Sequence, residues 1–273
     1  MPDAITLTLR SAVTEPIEAD GLTADGLAGL SEAQVSRVPL WSGRQRVPLG
    51  DLFAVRGAHS SEVRIAGDVR RVRGIGAGMA NGTLVIEGDA GANVGAGMTG
   101  GRIEVFGSVG DDAGQAMAAG SIVVRGSAGH RLGAGAPGAS RGMTGGEIVV
   151  TGSVGGEAGA RMRRGLVFVG GDAGHHVARA TIAGTVIVRG RTGREPALGS
   201  KRGTLIAIGG LDVPITYRYA CTYEPPHARI AFVYLRRRFD VTLPSEVIMG
   251  RYRRYCGDAG TVGRGEILEW VSA

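Results

Sequence analysis

The chain has little of several things that usually announce a function. Cysteine occurs twice in 273 residues, at Cys221 and Cys256, too few for a disulfide framework and without the CxxC spacing that holds zinc or an iron–sulfur cluster. Lysine occurs once, at Lys201, among 31 basic residues, so the net charge of +6 is an arginine charge, suited to fixed pairing with carboxylates or phosphates. Two Trp, six Tyr and five Phe, with the basic residues scattered, leave no groove of interleaved stacking rings, which argues against a nucleic-acid partner. No apolar run approaches the ~18 residues of a membrane span, and the start MPDAITLTLR lacks the layout of a signal peptide. These absences lead us to expect a soluble, cytoplasmic protein with no membrane partner. Proline is also sparse, at 10, which excludes collagen and Pro-rich disorder as reasons for what is abundant.

What is abundant is glycine, 49 residues, and it is periodic. Five-residue units read VRIAG (63–67), LVIEG (84–88), IEVFG (103–107), IVVRG (122–126), IVVTG (148–152), VFVGG (167–171), VIVRG (186–190) and LIAIG (205–209). Their closing glycines recur at intervals of 21, 19, 19, 26, 19, 19 and 19 residues, a period of nineteen with two insertions. Closing glycines Gly88, Gly107, Gly126, Gly152, Gly171 and Gly190 are followed three residues on by Gly91, Gly110, Gly129, Gly155, Gly174 and Gly193, and a third column, Gly101, Gly120, Gly146, Gly165, Gly184 and Gly203, precedes the strands. Met79, Met98, Met117, Met143 and Met162 share the same phase.

Each unit is a short β-branched run followed by glycine turns, without helical periodicity. Stacked in register, about seven such coils predict an all-β chain built as a right-handed parallel β-helix, a rod ~34 Å long, in which the turn glycines are structural and the methionines form an interior ladder. The first and third strand positions face the core. The position between them points outward, yet Val123, Val149, Phe168, Ile187 and Ile206 fill it, and so long an apolar stripe needs cover. The C-terminal segment and another subunit are both candidates, and the stripe is therefore a candidate partner surface. The insertion near Gly135–Arg141 is expected to protrude from a corner.

The predicted organisation is a non-repeat segment 1–62, the repeat domain 63–210, and a non-repeat segment 211–273. The first carries net −3 and the repeat +7. In the first, ITLTL (5–9) alternates as a strand and SEAQVSRV (31–38) reads as a short helix capped by Ser31. The last holds all six tyrosines, the run ARIAFVYL (228–235), which reads as buried core, and the basic clusters Arg236–Arg238 and Arg251, Arg253 and Arg254. Both ends serve partly as caps that protect the open stack.

Candidate chemistry is thin. His59, His130, His175, His176 and His227 form no HxH or HExxH arrangement, and His130 and His175, two coils apart in one column, stand ~10 Å from each other, too far to share a metal. Asp68, Asp89 and Asp172 share a column and Asp111-Asp112 are adjacent, which would suit a carbohydrate-acting β-helix, although Asp after a turn glycine is also ordinary turn chemistry. The GxGxxG spellings at Gly95, Gly97 and Gly100 and at Gly133, Gly135 and Gly138 resemble a dinucleotide turn, but the first runs into the strand Ile103–Val105 rather than a helix, so we assign no catalytic, cofactor-binding or metal residue.

The patterns GIGAGM (74–79) and GAGMTGG (95–101) on a nineteen-residue β-coil resemble the GXGXG domain of glutamate synthase large subunits and of the C subunit of formylmethanofuran dehydrogenases, and VPLGDLFAVRG (47–57) is similar to the segment preceding the coils in the latter. The resemblance covers roughly residues 47–210. It implies a right-handed β-helix and a non-catalytic scaffold subunit of a hetero-oligomeric enzyme complex in one-carbon metabolism. Two contexts follow from it: the methylotrophic bacterial formyltransferase/hydrolase complex, which moves a formyl group from tetrahydromethanopterin to a methanofuran-type carrier and hydrolyses it to formate, and the molybdenum or tungsten dehydrogenase of methanogens. The Ala-, Arg- and Gly-rich composition favours the first. The implied partners are amidohydrolase-like, molybdopterin-protein-like and formyltransferase subunits, with the metal in a partner and no cofactor on this chain; an arginine face for the carrier's acidic tail is a further expectation.

Overall fold

The computed structural model describes residues 4–272; residues 1–3 and 273, the outermost parts of the two end segments, lie outside the described residues. The N-terminal segment supplies β1 (Ile5–Leu9), β2 (Ile17–Glu18), α1 (Ala24–Leu27), α2 (Glu32–Ser36), β3 (Pro39–Ser42), β4 (Gln45–Pro48), α3 (Leu49–Leu52) and β5 (Phe53–Arg56). The repeat follows as β6 (Glu62–Ala66), β7 (Val72–Arg73), β8 (Thr83–Ile86), β9 (Thr99–Val105), β10 (Ala119–Val124), β11 (Glu147–Val150), β12 (Leu166–Val169), β13 (Thr185–Val188) and β14 (Thr204–Ala207). The chain ends with β15 (Arg218–Tyr223), α4 (Pro226–Phe239), α5 (Ser245–Ile248), β16 (Tyr252–Cys256) and β17 (Glu266–Trp270).

The fold is mostly β and is dominated by a 13-stranded, mostly parallel sheet in the order β15-β16-β17-β14-β13-β12-β11-β10-β9-β8-β6-β1-β5. Successive repeats pair in register, so Val123 lies beside Val149, Val149 beside Phe168, Phe168 beside Ile187, and Ile187 beside Ile206. A second parallel ladder links single residues of the same repeats, from Val69 through Ala90, Val109, Ala128, Val154 and Ala173 to Thr192. Both ends extend the stack out of sequence order. β1 adds a parallel strand beside β6 and β17 adds one beside β14; beyond them β5 and β16 pair antiparallel. A 4-stranded sheet, β4-β3-β2-β7, covers the N-terminal flank. α2 begins at Ser31, where the Gln34 side chain reaches back to accept from the Ser31 backbone N–H and hydroxyl, both at 2.9 Å.

The first and third strand positions are inside: Leu84, Ile86, Ile103, Val105, Ile122, Val124, Ile148 and Val150 are wholly buried. Met79, Met98, Met117, Met143 and Met162 are also wholly buried in the same cluster. Their flexible ends explain the partnership with the glycines before the strands: a Cβ on Gly101 would lie 2.8 Å from the Met79 methyl, and one on Gly146 2.6 Å from that of Met117. Thioether side chains suit such irregular gaps. Two glycine columns have different reasons. Gly120 has φ +90 and would press a Cβ to 2.7 Å from the Gly101 carbonyl. Gly107 lacks a positive φ, but its Cβ would sit 2.6 Å from the Asp89 nitrogen in the repeat beneath.

The outward stripe Val123, Val149, Phe168, Ile187 and Ile206 is not a partner surface. It lies buried under α4 in one cluster with Ala228, Phe232, Leu235 and Phe239. α4 forms because Pro226 starts it and three arginines occupy its last turn, where cations favour the helix C-terminus; Asp240, at φ 58, ends it. Its buried residues recur at i, i+4, i+7 and i+11, one helical face. The run ARIAFVYL is thus half-buried rather than core: Ala228, Phe232 and Leu235 face the sheet, whereas Ile230, Val233 and Tyr234 are exposed. The phenol of buried Tyr252 donates to the Val247 carbonyl (2.8 Å) and burial raises its pKa.

Two measurements check this account. Gly107→Ala should lower stability by roughly 3 kcal/mol or more in urea unfolding, because backbone cannot yield to a Cβ, while Gly21→Ala, with nothing near it, should stay within about 0.5 kcal/mol. Phe232→Ala should cost about 3–5 kcal/mol, the value of a large core side chain.

Candidate functional surfaces

The carboxylate column is occupied in holding the stack together. Asp89 Oδ1 accepts the Ser108 N–H (2.7 Å), Ser108 Oγ that of Ser127 (3.1 Å), Ser127 Oγ that of Ser153 (3.2 Å), Ser153 Oγ that of Asp172 (3.0 Å), and Asp172 Oδ1 that of Arg191 (2.8 Å). Each side chain thus satisfies a corner amide in the next repeat. Asp68 instead accepts from its own turn: hydrogen bonds from the Arg70 side chain and backbone bring its carboxyl down to about 2. Turn chemistry therefore accounts for the acids that would have supported a sugar-acting site.

A parallel column behaves the same way. Asp111 Oδ1 accepts the His130 N–H (2.7 Å), His130 Nδ1 that of Gly156 (3.0 Å), and His175 Nδ1 that of Arg194 (2.9 Å). An Nδ1 that accepts leaves the proton of the neutral ring on Nε2. His176 and His227 pair instead with Glu195 (2.9 Å) and Glu266 (3.3 Å). Among the described residues no group of three or more His, Cys, Asp or Glu side chains could hold a metal ion, and no helix is long and apolar enough to cross a membrane. Gly95 and Gly97, at φ +64 and +66, form a turn that leads into β9, so no helix N-terminus stands over the GxGxxG spelling to receive a phosphate.

Charge gathers at the corner that carries the insertion. The loop packs back on its neighbour through Arg161 Nη1, which donates to the Ala139 carbonyl at 2.7 Å. With Arg131, Glu157 and Arg179 it bounds a cavity of about 300 Å³. Arg131 is held by Asp112 at 2.5 Å and Arg179 by Glu157 at 3.4 Å. Beside them Arg141, Arg163 and Arg164 are exposed, as are Lys201 and Arg202 two repeats further along the stack beside Arg264, and none of these five makes an ion pair among the described residues. Arg163 and Lys201 occupy one repeat position two repeats apart, ~10 Å along the stack. The RMRR of 161–164 carried this signal in the sequence, but only the folded corner brings it beside Arg141 and Arg179.

On the outer sheet face the column beneath α4 changes character at β9: Arg64, Val85 and Glu104 precede the apolar stripe. Burial would raise the Glu104 carboxyl, but hydrogen bonds from Arg125 and Arg102 outweigh it and hold its pKa below the usual value; the ion pairs measure 2.6 and 3.3 Å. The other exposed surface of note is the solvent side of α4, with Ile230, Val233 and Tyr234.

No family model matches the chain. It is 35% identical over 95 residues to the C subunit of the molybdenum-containing formylmethanofuran dehydrogenase 1 of Methanosarcina barkeri, covering 33% of this chain and 32% of that protein. It is 34% identical over 86 residues to the C subunit of the formyltransferase/hydrolase complex Fhc of Methylorubrum extorquens, 32% of each. The aligned segment therefore spans about a third of these curated relatives. In three dimensions, it matches a chain of the X-ray crystal structure of the formyltransferase/hydrolase complex (FhcABCD) from Methylorubrum extorquens in complex with methylofuran. The TM-score is 0.89 and the identity 33%, over 98% of this chain and 100% of that one.

Two substitutions test the roles assigned to acids here. Asp172→Ala should lower stability by about 0.5–1.5 kcal/mol through loss of the hydrogen bond to the Arg191 amide, without changing any glycan-cleaving rate. Glu104→Gln should reduce acid sensitivity. With its pKa depressed in the fold, Glu104 stabilises above its unfolded pKa and that contribution, on the order of 1 kcal/mol, is lost as pH falls through the folded value. Urea midpoints at pH 7 and pH 3 should therefore differ less in the variant than in the parent.

Proposed function

The chain belongs to the C-subunit family shared by formylmethanofuran dehydrogenases and the formyltransferase/hydrolase complex, and from that premise we propose that it is a non-catalytic scaffold subunit of a formyltransferase/hydrolase complex. In this reading the assembly moves a formyl group from formyl-tetrahydromethanopterin to a methanofuran-type carrier and hydrolyses it to formate. The observation that carries it is the end-to-end match, 100% of a chain from a complex crystallised with methylofuran. The alternative, the C subunit of a molybdenum or tungsten dehydrogenase, is supported only by a segment about a third as long as the chain. That the Asp and Ser column spends its acceptors on backbone amides supports a structural role.

The partners we propose are the amidohydrolase-like, molybdopterin-protein-like and formyltransferase subunits, in the cytoplasm, with metal and cofactors held by them. We read the two parallel ladders as the walls of a right-handed parallel β-helix over 63–210, capped by 1–62 and 211–273. Such a stack is stiff, because each repeat is bonded to both neighbours along two walls, and stiffness is what a spacer between catalytic subunits requires. A second role is supported by the cations around Arg163, Arg164 and Lys201: an acidic tail on the carrier would find fixed positive charge along that corner.

The purified chain alone should show neither formyl transfer nor formyl hydrolysis, and both activities should appear when it is co-expressed with the other subunits; turnover by the isolated chain would overturn the scaffold reading. Arg163→Glu/Arg164→Glu should weaken carrier affinity severalfold in the assembled complex and reduce its dependence on salt, measured by titration at low and high ionic strength.

A further inference from the structure

Seven of the nine large hydrophobic side chains that remain exposed among the described residues lie in residues 211–273, and three of them share α4. Ile230, Val233 and Tyr234 are 71%, 38% and 40% exposed. With Arg237 they fall at i, i+3, i+4 and i+7, the spacing of one helical face. α4 thus has two apolar sides. One is spent on the sheet; on the other only Tyr234 reaches back to the chain, its hydroxyl donating to Glu147 at 2.8 Å, and Ile230 and Val233 stay exposed, whereas a helix that needs only one face buried places polar residues on the opposite side.

The charge around this second face identifies what fits it. Arg229, Arg236, Arg237 and Arg238 lie along the helix; the carboxylates near it are Glu224 and Asp240 at its flanks, Glu147, which accepts from the Tyr234 hydroxyl at 2.8 Å, and Glu266, 3.3 Å from His227. Glu224 is 3.4 Å from Arg229; Arg236, Arg237 and Arg238 make no ion pair among the described residues. A second copy of the chain fits poorly, because a two-fold antiparallel helix pair would lay Arg236–Arg238 of one copy over His227 and Arg229 of the other, and like charges oppose docking. We infer that the solvent side of α4 docks a different polypeptide of the same assembly, one that offers an apolar depression for Ile230 and Val233 bordered by carboxylates for Arg236 and Arg237. The inference rests on the hetero-oligomeric reading above and adds the surface and the chemistry of the partner.

The test uses the full-length chain, tagged and co-expressed with the other subunits of the complex, and reads subunit recovery at several salt concentrations. Ile230→Asp and Val233→Asp, at positions already facing water, should keep the melting temperature of the isolated chain and reduce recovery of one particular subunit about tenfold or more, as expected for central interface anchors. Recovery by the parent chain should fall as salt rises, and Arg236→Glu/Arg237→Glu should both lower recovery and flatten that dependence. Phe106→Asp, an exposed aromatic on the uncovered part of the sheet, should change nothing. Unchanged recovery in all the α4 variants would overturn the docking site while leaving the hetero-oligomer intact. A parent chain that recruits no subunit would overturn both. Capture of the isolated parent chain by phosphatidylglycerol vesicles, lost in Ile230→Asp, would assign the face to a lipid surface and overturn the protein partner.

Discussion

Everything in this structure depends on the distance between one repeat and the next. In-register parallel strands stand ~4.8 Å apart, and at the corners that spacing brings backbone against backbone with no room for a side chain. Gly107 over the Asp89 nitrogen and Gly120 over the Gly101 carbonyl are its direct consequences. The same closeness leaves corner amides outside the strand ladders, and each is met by an acceptor. The Asp89–Ser108–Ser127–Ser153–Asp172 ladder supplies acceptors from the repeat before, and the Asp111–His130 column does so a few residues on. Asp, Ser and His interchange there because only a lone pair at the right reach is required.

That interchangeability explains why residue types associated with catalysis recur in columns without converging on one point. A catalytic centre needs different groups brought to one place. A ladder needs similar groups at equal intervals along a line, and its members are already hydrogen-bonded. The interior follows the same spacing: four of the five column methionines bend into the volume vacated by a glycine in the following repeat, Met79 under Gly101, Met117 under Gly146, Met143 under Gly165 and Met162 under Gly184.

Much of this was legible in the sequence because a stack repeats its constraints. The period, the inward strand positions, the β1 strand and the Ser31 helix start all come from local pattern. What was not legible lies where the chain leaves the period. Nothing in ITLTL says that it joins the stack beside β6, and EILEW (266–270) gives no sign of pairing with β14 across an excursion of more than fifty residues. The run ARIAFVYL misled for a physical reason. Its apolar residues satisfy two helical faces at once, so it reads as continuous core, although only Ala228, Phe232 and Leu235 reach the sheet.

The outer stripe shows how a one-dimensional pattern can specify a tertiary partner. From Val123 to Ile206 the stripe crosses five strands, four intervals, or ~19 Å; α4, with 14 residues, is ~21 Å long. On one side the column gives way to Glu104, bound to Arg102 and Arg125; on the other it continues into buried Leu268 of β17, in the same cluster. A column facing water would have stayed charged; this one is buried beneath Ala228, Phe232, Leu235 and Phe239 of its own chain. Once α4 has consumed the stripe, the surface left to other molecules is the far side of that helix and the arginine corner at the insertion. A stack whose acid, serine and histidine columns are engaged with the repeats beside them acts through its exterior, and that is the property expected of a part that holds catalysts in place.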